Sequence, residues 1–186
     1  MMPDLAGRTT DVQDYLATLA EVNHHGFGFL LAFGLTWLIA GAVWLRVGER
    51  AGAYAALFQG MVGMPLGLLL TSVTATADRP DDAAMNALSI YLGTGQLLVL
   101  PLAVVLIVHH RYLAAAAVMA LVLAVHLVPY AWLYGTPAYL VVAAVVAVLT
   151  AVVVAIHLRR ASEHGGLLCV GSGVTLLLGG LATFLL

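Results

Sequence analysis

The sequence contains no lysine, and charged residues make up only 9% of its 186 positions. Without lysine there is no Schiff-base chemistry, and so no retinal-type pigment. Cys169 is the only cysteine, which excludes an intramolecular disulfide and leaves the redox compartment unmarked. A net charge of −2, with no basic cluster larger than Arg159-Arg160, argues against a nucleic-acid partner. No HExxH metal motif occurs. Gly171-Ser172-Gly173 lacks the glycine two residues before the serine that a nucleophile elbow needs, so it reads as a small packing face.

Hydrophobic residues, by contrast, make up 63% of the chain, and its mean hydropathy is +1.05. They fall into six runs, Gly26 to Leu45, Ala51 to Val73, Ala87 to Val108, Leu113 to Leu133, Ala138 to Ile156 and Gly165 to Leu186, none of which contains Asp, Glu, Lys or Arg. Each run has about the 20 residues that a helix needs to cross a hydrocarbon core of about 30 Å. The expected fold is therefore an all-α integral membrane protein, a six-transmembrane-helix bundle over residues 26–186. Carboxylates are missing from the runs, which disfavours proton- or sodium-coupled transport through an acidic site, and there is no arginine ladder of a voltage sensor.

Residues 1–25 lack the basic and apolar regions of a signal peptide. Thr10 and Gln13 have capping-box spacing, and Val12, Tyr15, Leu16 and Leu19 share a face opposite Asp11, Asp14, Thr18 and Glu21, which predicts a short amphipathic helix. Arginine placement predicts the orientation. The gaps after runs one, three and five hold Arg46, Arg50, Arg111, Arg159 and Arg160, against Arg8 and Arg79 on the other side. By the positive-inside rule the first set faces the cytoplasm and both termini lie outside. In Asp78-Arg79-Pro80-Asp81-Asp82 the proline is expected near the first helical position of run three, with two acids in its first turn.

Pro65, Pro101 and Pro129 sit inside runs two, three and four, where each removes an N–H and favours a kink. Gly34 and Gly41, Gly63 and Gly67, and the alanines 144, 147, 151 and 155 mark expected helix-contact faces. Trp132, Tyr134 and Tyr139 flank the fourth gap as an interfacial aromatic belt would.

Polar residues inside the runs are few enough to weigh singly. His126 lies about 10 Å below the outer end of run four, with Tyr130 and Tyr134 continuing its face. In run three Asn86, Ser89, Gly93 and Gln96 recur at helical spacing from the same side. These two stripes predict an outward-facing polar pocket between helices three and four. His126 and Gln96 would read a ligand there by hydrogen bonds, with Asn86 and Ser89 on the polar wall. Tyr130, Trp132 and Tyr134 would give aromatic walls, and His25 would stand near the mouth. His24 and His25 point about 100° apart if helical, so only one of them would face inward. The rival reading is that Gln96 and His126 bond each other as helix glue, worth about 0.6–2 kcal/mol. No metal-ligand spacing appears among the interfacial histidines His109, His110, His157 and His164, so neither a metal nor a cofactor is expected.

The segments Gly95-Gln96-Leu97 leading to Pro101, and His126-Leu127-Val128-Pro129-Tyr130-Ala131-Trp132-Leu133-Tyr134-Gly135-Thr136-Pro137-Ala138-Tyr139, resemble a family of small bacterial multi-pass membrane proteins catalogued only as a domain of unknown function. The resemblance implies a bacterial inner-membrane bundle and adds no activity, substrate or cofactor. The function expected from the residues is a small-molecule binding or transport component embedded in the lipid bilayer. The alternatives are an accessory subunit packing against a membrane partner or a second copy of the chain, and a lipid-modifying enzyme with His126 as general base. No nucleophile or metal set accompanies that histidine, so no catalytic residue is assigned.

Overall fold

The computed structural model describes residues 5–160 and 164–186, with side chains described for residues 12–158 and 164–186. All regular structure among the described residues is helical. An N-terminal helix α1 (Leu5–Val22) leads through a short 3-10 turn (His24–Gly26) into α2 (Phe27–Val47) and α3 (Glu49–Thr74). Next come α4 (Ala83–Gly95), a second 3-10 turn (Gln96–Val99) and α5 (Leu100–Val108), and then α6 (Tyr112–Leu133), α7 (Ala138–Arg160) and α8 (Gly165–Phe184). Six stretches of 20 to 26 residues are long and apolar enough to cross a bilayer, with α4 and α5 forming the third together. Helices pair every backbone polar group within the segment, which is what a hydrocarbon environment demands.

The chain is a multi-pass helical membrane protein. Its outward faces suit a hydrocarbon surrounding, since Met61, Val62, Leu69, Leu98, Val141 and Val148 are all more than half exposed. In water such a surface would aggregate, whereas in a bilayer it meets acyl chains.

Helix α2 is the centre of the bundle, packed between α3 and α8, while α6 touches α3, α5, α7 and α8. Without a hydrophobic force between helices in lipid, close backbone approach has to supply the contact energy. Glycines make that approach possible. A Cβ built at Gly34 would lie 3.1 Å from the Gly173 carbonyl oxygen, one at Gly173 would lie 2.8 Å from that of Gly34, and one at Gly41 would lie 2.9 Å from the Val170 nitrogen. Gly63 and Gly67 of α3 receive Phe33 and Phe29 of α2, so this GxxxG pair packs helices within the chain. The alanine stripe of α7 does otherwise. Ala144, Ala151 and Ala155 are exposed and only Ala147 of the stripe packs against the core, while α7 buries Val142, Ala143, Val146, Thr150 and Val153. The reason lies on α8, where Gly179 and Gly171 leave dents that Val142 and Leu149 fill.

Proline acts unequally in the three spans. Helices α3 and α6 run without a break through Pro65 and Pro129, but the third span changes to a 3-10 turn at residues 96–99, immediately before Pro101. Gly93 and Gly95 precede that turn, so weak helix propensity and the N–H lost at Pro101 combine there. At the start of the same span Pro80 lies outside the helix. Asp82 is its N-cap, accepting from the Met85 N–H at 2.8 Å, as an Asx side chain does when it satisfies an orphan donor. Helix α1 likewise begins at Leu5, so Thr10 and Gln13 lie within it and do not cap it.

Candidate functional site

The chain leaves α1 through three successive residues with positive φ, His24 (45°), His25 (50°) and Gly26 (75°). Left-handed backbone is costly for a residue with a Cβ, at about 1–2 kcal/mol each, so surrounding contacts must hold the two histidines in place. Those contacts are present. His24 Nε2 donates to the Thr74 carbonyl at 3.1 Å and His25 Nδ1 to the Tyr134 carbonyl at 3.0 Å, while the Tyr139 hydroxyl donates to the His25 carbonyl at 2.6 Å. At Gly26 a Cβ would lie 2.5 Å from both the Tyr134 ring and the Tyr139 hydroxyl, so only glycine fits.

The turn therefore ties the start of α2 to the end of α3 and to the α6–α7 connection. Aromatic packing adds α8, since the His24 ring lies 5.2 Å from Phe184, which lies 4.8 Å from Phe27. Above the turn is an open cleft of about 730 Å³, within the size range of small-ligand sites. Helix α1 forms one wall with Leu16, Ala17, Ala20 and Glu21, and Trp132, Tyr134 and Phe184 face it from the ends of α6 and α8, with both histidines between.

His24 and His25 thus line the same cleft. A helical 100° separation does not apply to them, because the left-handed turn, held by two backbone carbonyls, lets both rings border one space. Backbone carbonyls only accept hydrogen bonds, so each imidazole must donate the N–H named above. That fixes His24 as the Nε2–H tautomer and His25 as the Nδ1–H tautomer when neutral, each with a proton-free second nitrogen.

The cleft also locates the other residues singled out in the sequence. His25, Trp132 and Tyr134 line it, with Trp132 half exposed. Tyr130 and His126 lie beneath as a supporting stack. Ring centroids are 5.0 Å apart for His126–Tyr130, 6.1 Å for Tyr130–Tyr134 and 5.6 Å for Tyr134–Tyr139. Burial first, and then the neighbouring Tyr130 phenol, push the Tyr134 hydroxyl well above the ordinary tyrosine range, so it stays protonated at neutral pH; Arg79 opposes the shift.

The third span sends its polar residues elsewhere. Asn86 donates to Asp81 at 2.9 Å, and Ser89 accepts from Arg79 at 3.0 Å while donating to the Met85 carbonyl, so both brace the α3–α4 loop. Gln96 sits on the 3-10 turn that packs against α6, and among the described residues no hydrogen bond joins it to His126. A buried polar bridge does occur in the other half of the bundle, where Thr36 donates to Gln59 at 2.9 Å between α2 and α3. Its sequence signal was a lone glutamine in run two, with nothing to identify the partner.

A family model described as "Family of unknown function (DUF7010)" matches residues 12–183, from within α1 to the last turn of α8. The chain belongs to DUF7010. The match takes in both the α1 wall and the histidine turn, so the cleft is built almost wholly from the DUF7010 unit. No curated protein and no solved structure matches the chain. Among the described residues of this DUF7010 member no group of three or more His, Cys, Asp or Glu side chains is placed to hold a metal ion.

Proposed function

We propose that this DUF7010 chain is a small-molecule binding or transport component of a bacterial inner membrane, and that its site is the cleft between α1, the His24–Gly26 turn, the α6–α7 connection and the end of α8. The observation that carries the reading is the pair of consecutive histidines held in left-handed backbone on the cleft wall. Strained non-glycine residues kept in place by several independent contacts concentrate at ligand sites, and here the contacts come from α3, α6–α7 and α8. The cleft combines apolar walls with a few converging polar groups, as small-molecule sites do. With Arg46, Arg50 and Arg111 on the cytoplasmic side, the cleft opens outward.

The test is ligand binding by the protein in lipid nanodiscs, followed through the emission of Trp132, with protein-free nanodiscs as the blank. Eight-carbon amphiphiles should give a saturable change that disappears in Trp132→Phe and weakens at least tenfold in Ala17→Phe, which fills the cleft from α1. Absence of any saturable change would overturn the reading. A second reading, an accessory subunit docked on a membrane partner, draws on the third span, where only Met85, Ala103 and Ile107 are buried. It predicts that the purified chain carries a stoichiometric membrane partner, or a second copy, cross-linked through Ile90 or Leu98 when either is replaced by a photoreactive residue.

A further inference from the structure

We infer that the cleft selects a protonated amine joined to an apolar body. The inference rests on the binding reading above and specifies the chemistry of its ligand. His24 and His25 each spend their N–H on a backbone carbonyl, so what each neutral ring has left is a lone pair that accepts hydrogen bonds. Glu21 adds a carboxylate on the α1 wall, and no described arginine lines the cleft. A rim of acceptors with no arginine among them is matched by a donor bearing positive charge. An ammonium group supplies up to three N–H donors.

The surroundings have the same sign. Residues 12–25 and 75–82, at this end of the bundle, carry Asp14, Glu21, Asp78, Asp81 and Asp82 against Arg79 alone, a formal charge of −4. Residues 46–50 and 109–111, at the opposite end, carry three arginines against Glu49, or +2. The resulting field concentrates cations at the cleft mouth and repels anions. Trp132 and Phe184, each about half exposed, offer aromatic surface that attracts a cation at short range, while Leu16 and Ala20 receive the apolar part.

The experiment compares octylammonium, octanoate and octanol at pH 7 in nanodiscs of zwitterionic lipid, again through Trp132 emission. Octylammonium should half-saturate at a concentration at least tenfold lower than the other two. Glu21→Gln, a change on an exposed side chain, should reduce that preference about fivefold, and so should raising the salt from 0.05 to 0.5 M. Equal half-saturation for all three, or a preference for octanoate, overturns the amine inference and leaves the binding reading standing. Failure of all three to bind overturns both.

Discussion

Gly173→Ala tests whether backbone approach holds the bundle together. The added methyl would lie 2.8 Å from the Gly34 carbonyl oxygen, from the Leu38 nitrogen and from Leu38 Cγ, inside the roughly 3.5–4.0 Å at which carbon contacts become favourable. Two of the three neighbours are backbone atoms, so no rotamer change makes room and α2 and α8 must separate where they are closest. Overpacking of this kind costs about 1–3 kcal/mol, and the rigid partners put it toward the upper end. Alanine returns about 1 kcal/mol in helix propensity, leaving a net loss of about 1–2 kcal/mol. Gly60→Ala is the control, since a Cβ there meets nothing within 4 Å and should gain about 0.5–1 kcal/mol. Reversible unfolding in mixed micelles with increasing dodecyl sulfate, followed by far-UV circular dichroism, measures both. If Gly173→Ala is as stable as Gly60→Ala, glycine-mediated contact between α2 and α8 is not what holds them.

Thr36→Val should destabilise by about 1 kcal/mol in the same assay, because it strands the Gln59 carbonyl oxygen, and Gln59→Leu in that background should recover part of the loss. His25→Gly relieves the left-handed backbone but gives up the bond to Tyr134, whereas His25→Ala gives up the bond and keeps the strain; the alanine variant should be less stable by about 1 kcal/mol. Equal stabilities would show that the turn is unstrained. The raised pKa of Tyr134 means that its neutral form is favoured in the folded state, so stability is intact below the ordinary phenol value of about 10 and falls as pH rises beyond it. Tyr134→Phe should lessen that alkaline loss, and an unchanged pH profile would refute the assignment. For orientation, single cysteines at Ala83 and Gly48 in a Cys169-free chain should respectively react with, and be spared by, an impermeant thiol reagent added to intact cells. The reverse pattern overturns the proposed topology.

Six spans were legible because each is a run of about 20 apolar residues, and a bilayer leaves such a run little choice but to be a helix across it. The His126–Tyr130–Tyr134 line was legible for a similar reason, since residues four apart on one helix meet whatever surrounds them. All three prolines gave the same local signal for a kink, yet only the third span, where the glycines at 93 and 95 add to Pro101, changes to a 3-10 turn. Other features depended on partners distant in sequence. The alanines of α7 have contact-face spacing, yet the matching dents lie on α8 opposite Val142 and Leu149, so three of the four stripe alanines, 144, 151 and 155, face outward and Ala147 alone of them packs against the core. Asn86 and Ser89 share a stripe with Gln96, but Asp81 and Arg79 draw them into the loop. The histidine turn was least legible, because its left-handed backbone is fixed by Thr74, Tyr134 and Tyr139, residues 50 to 114 positions away. Sequence alone determined which segments enter the membrane, because transfer into hydrocarbon is summed along each run and needs no neighbour. Only the tertiary structure decided that α1, the turn, and the ends of α6 and α8 enclose a cleft, because a cavity is a property of several segments at once and no single periodicity records it.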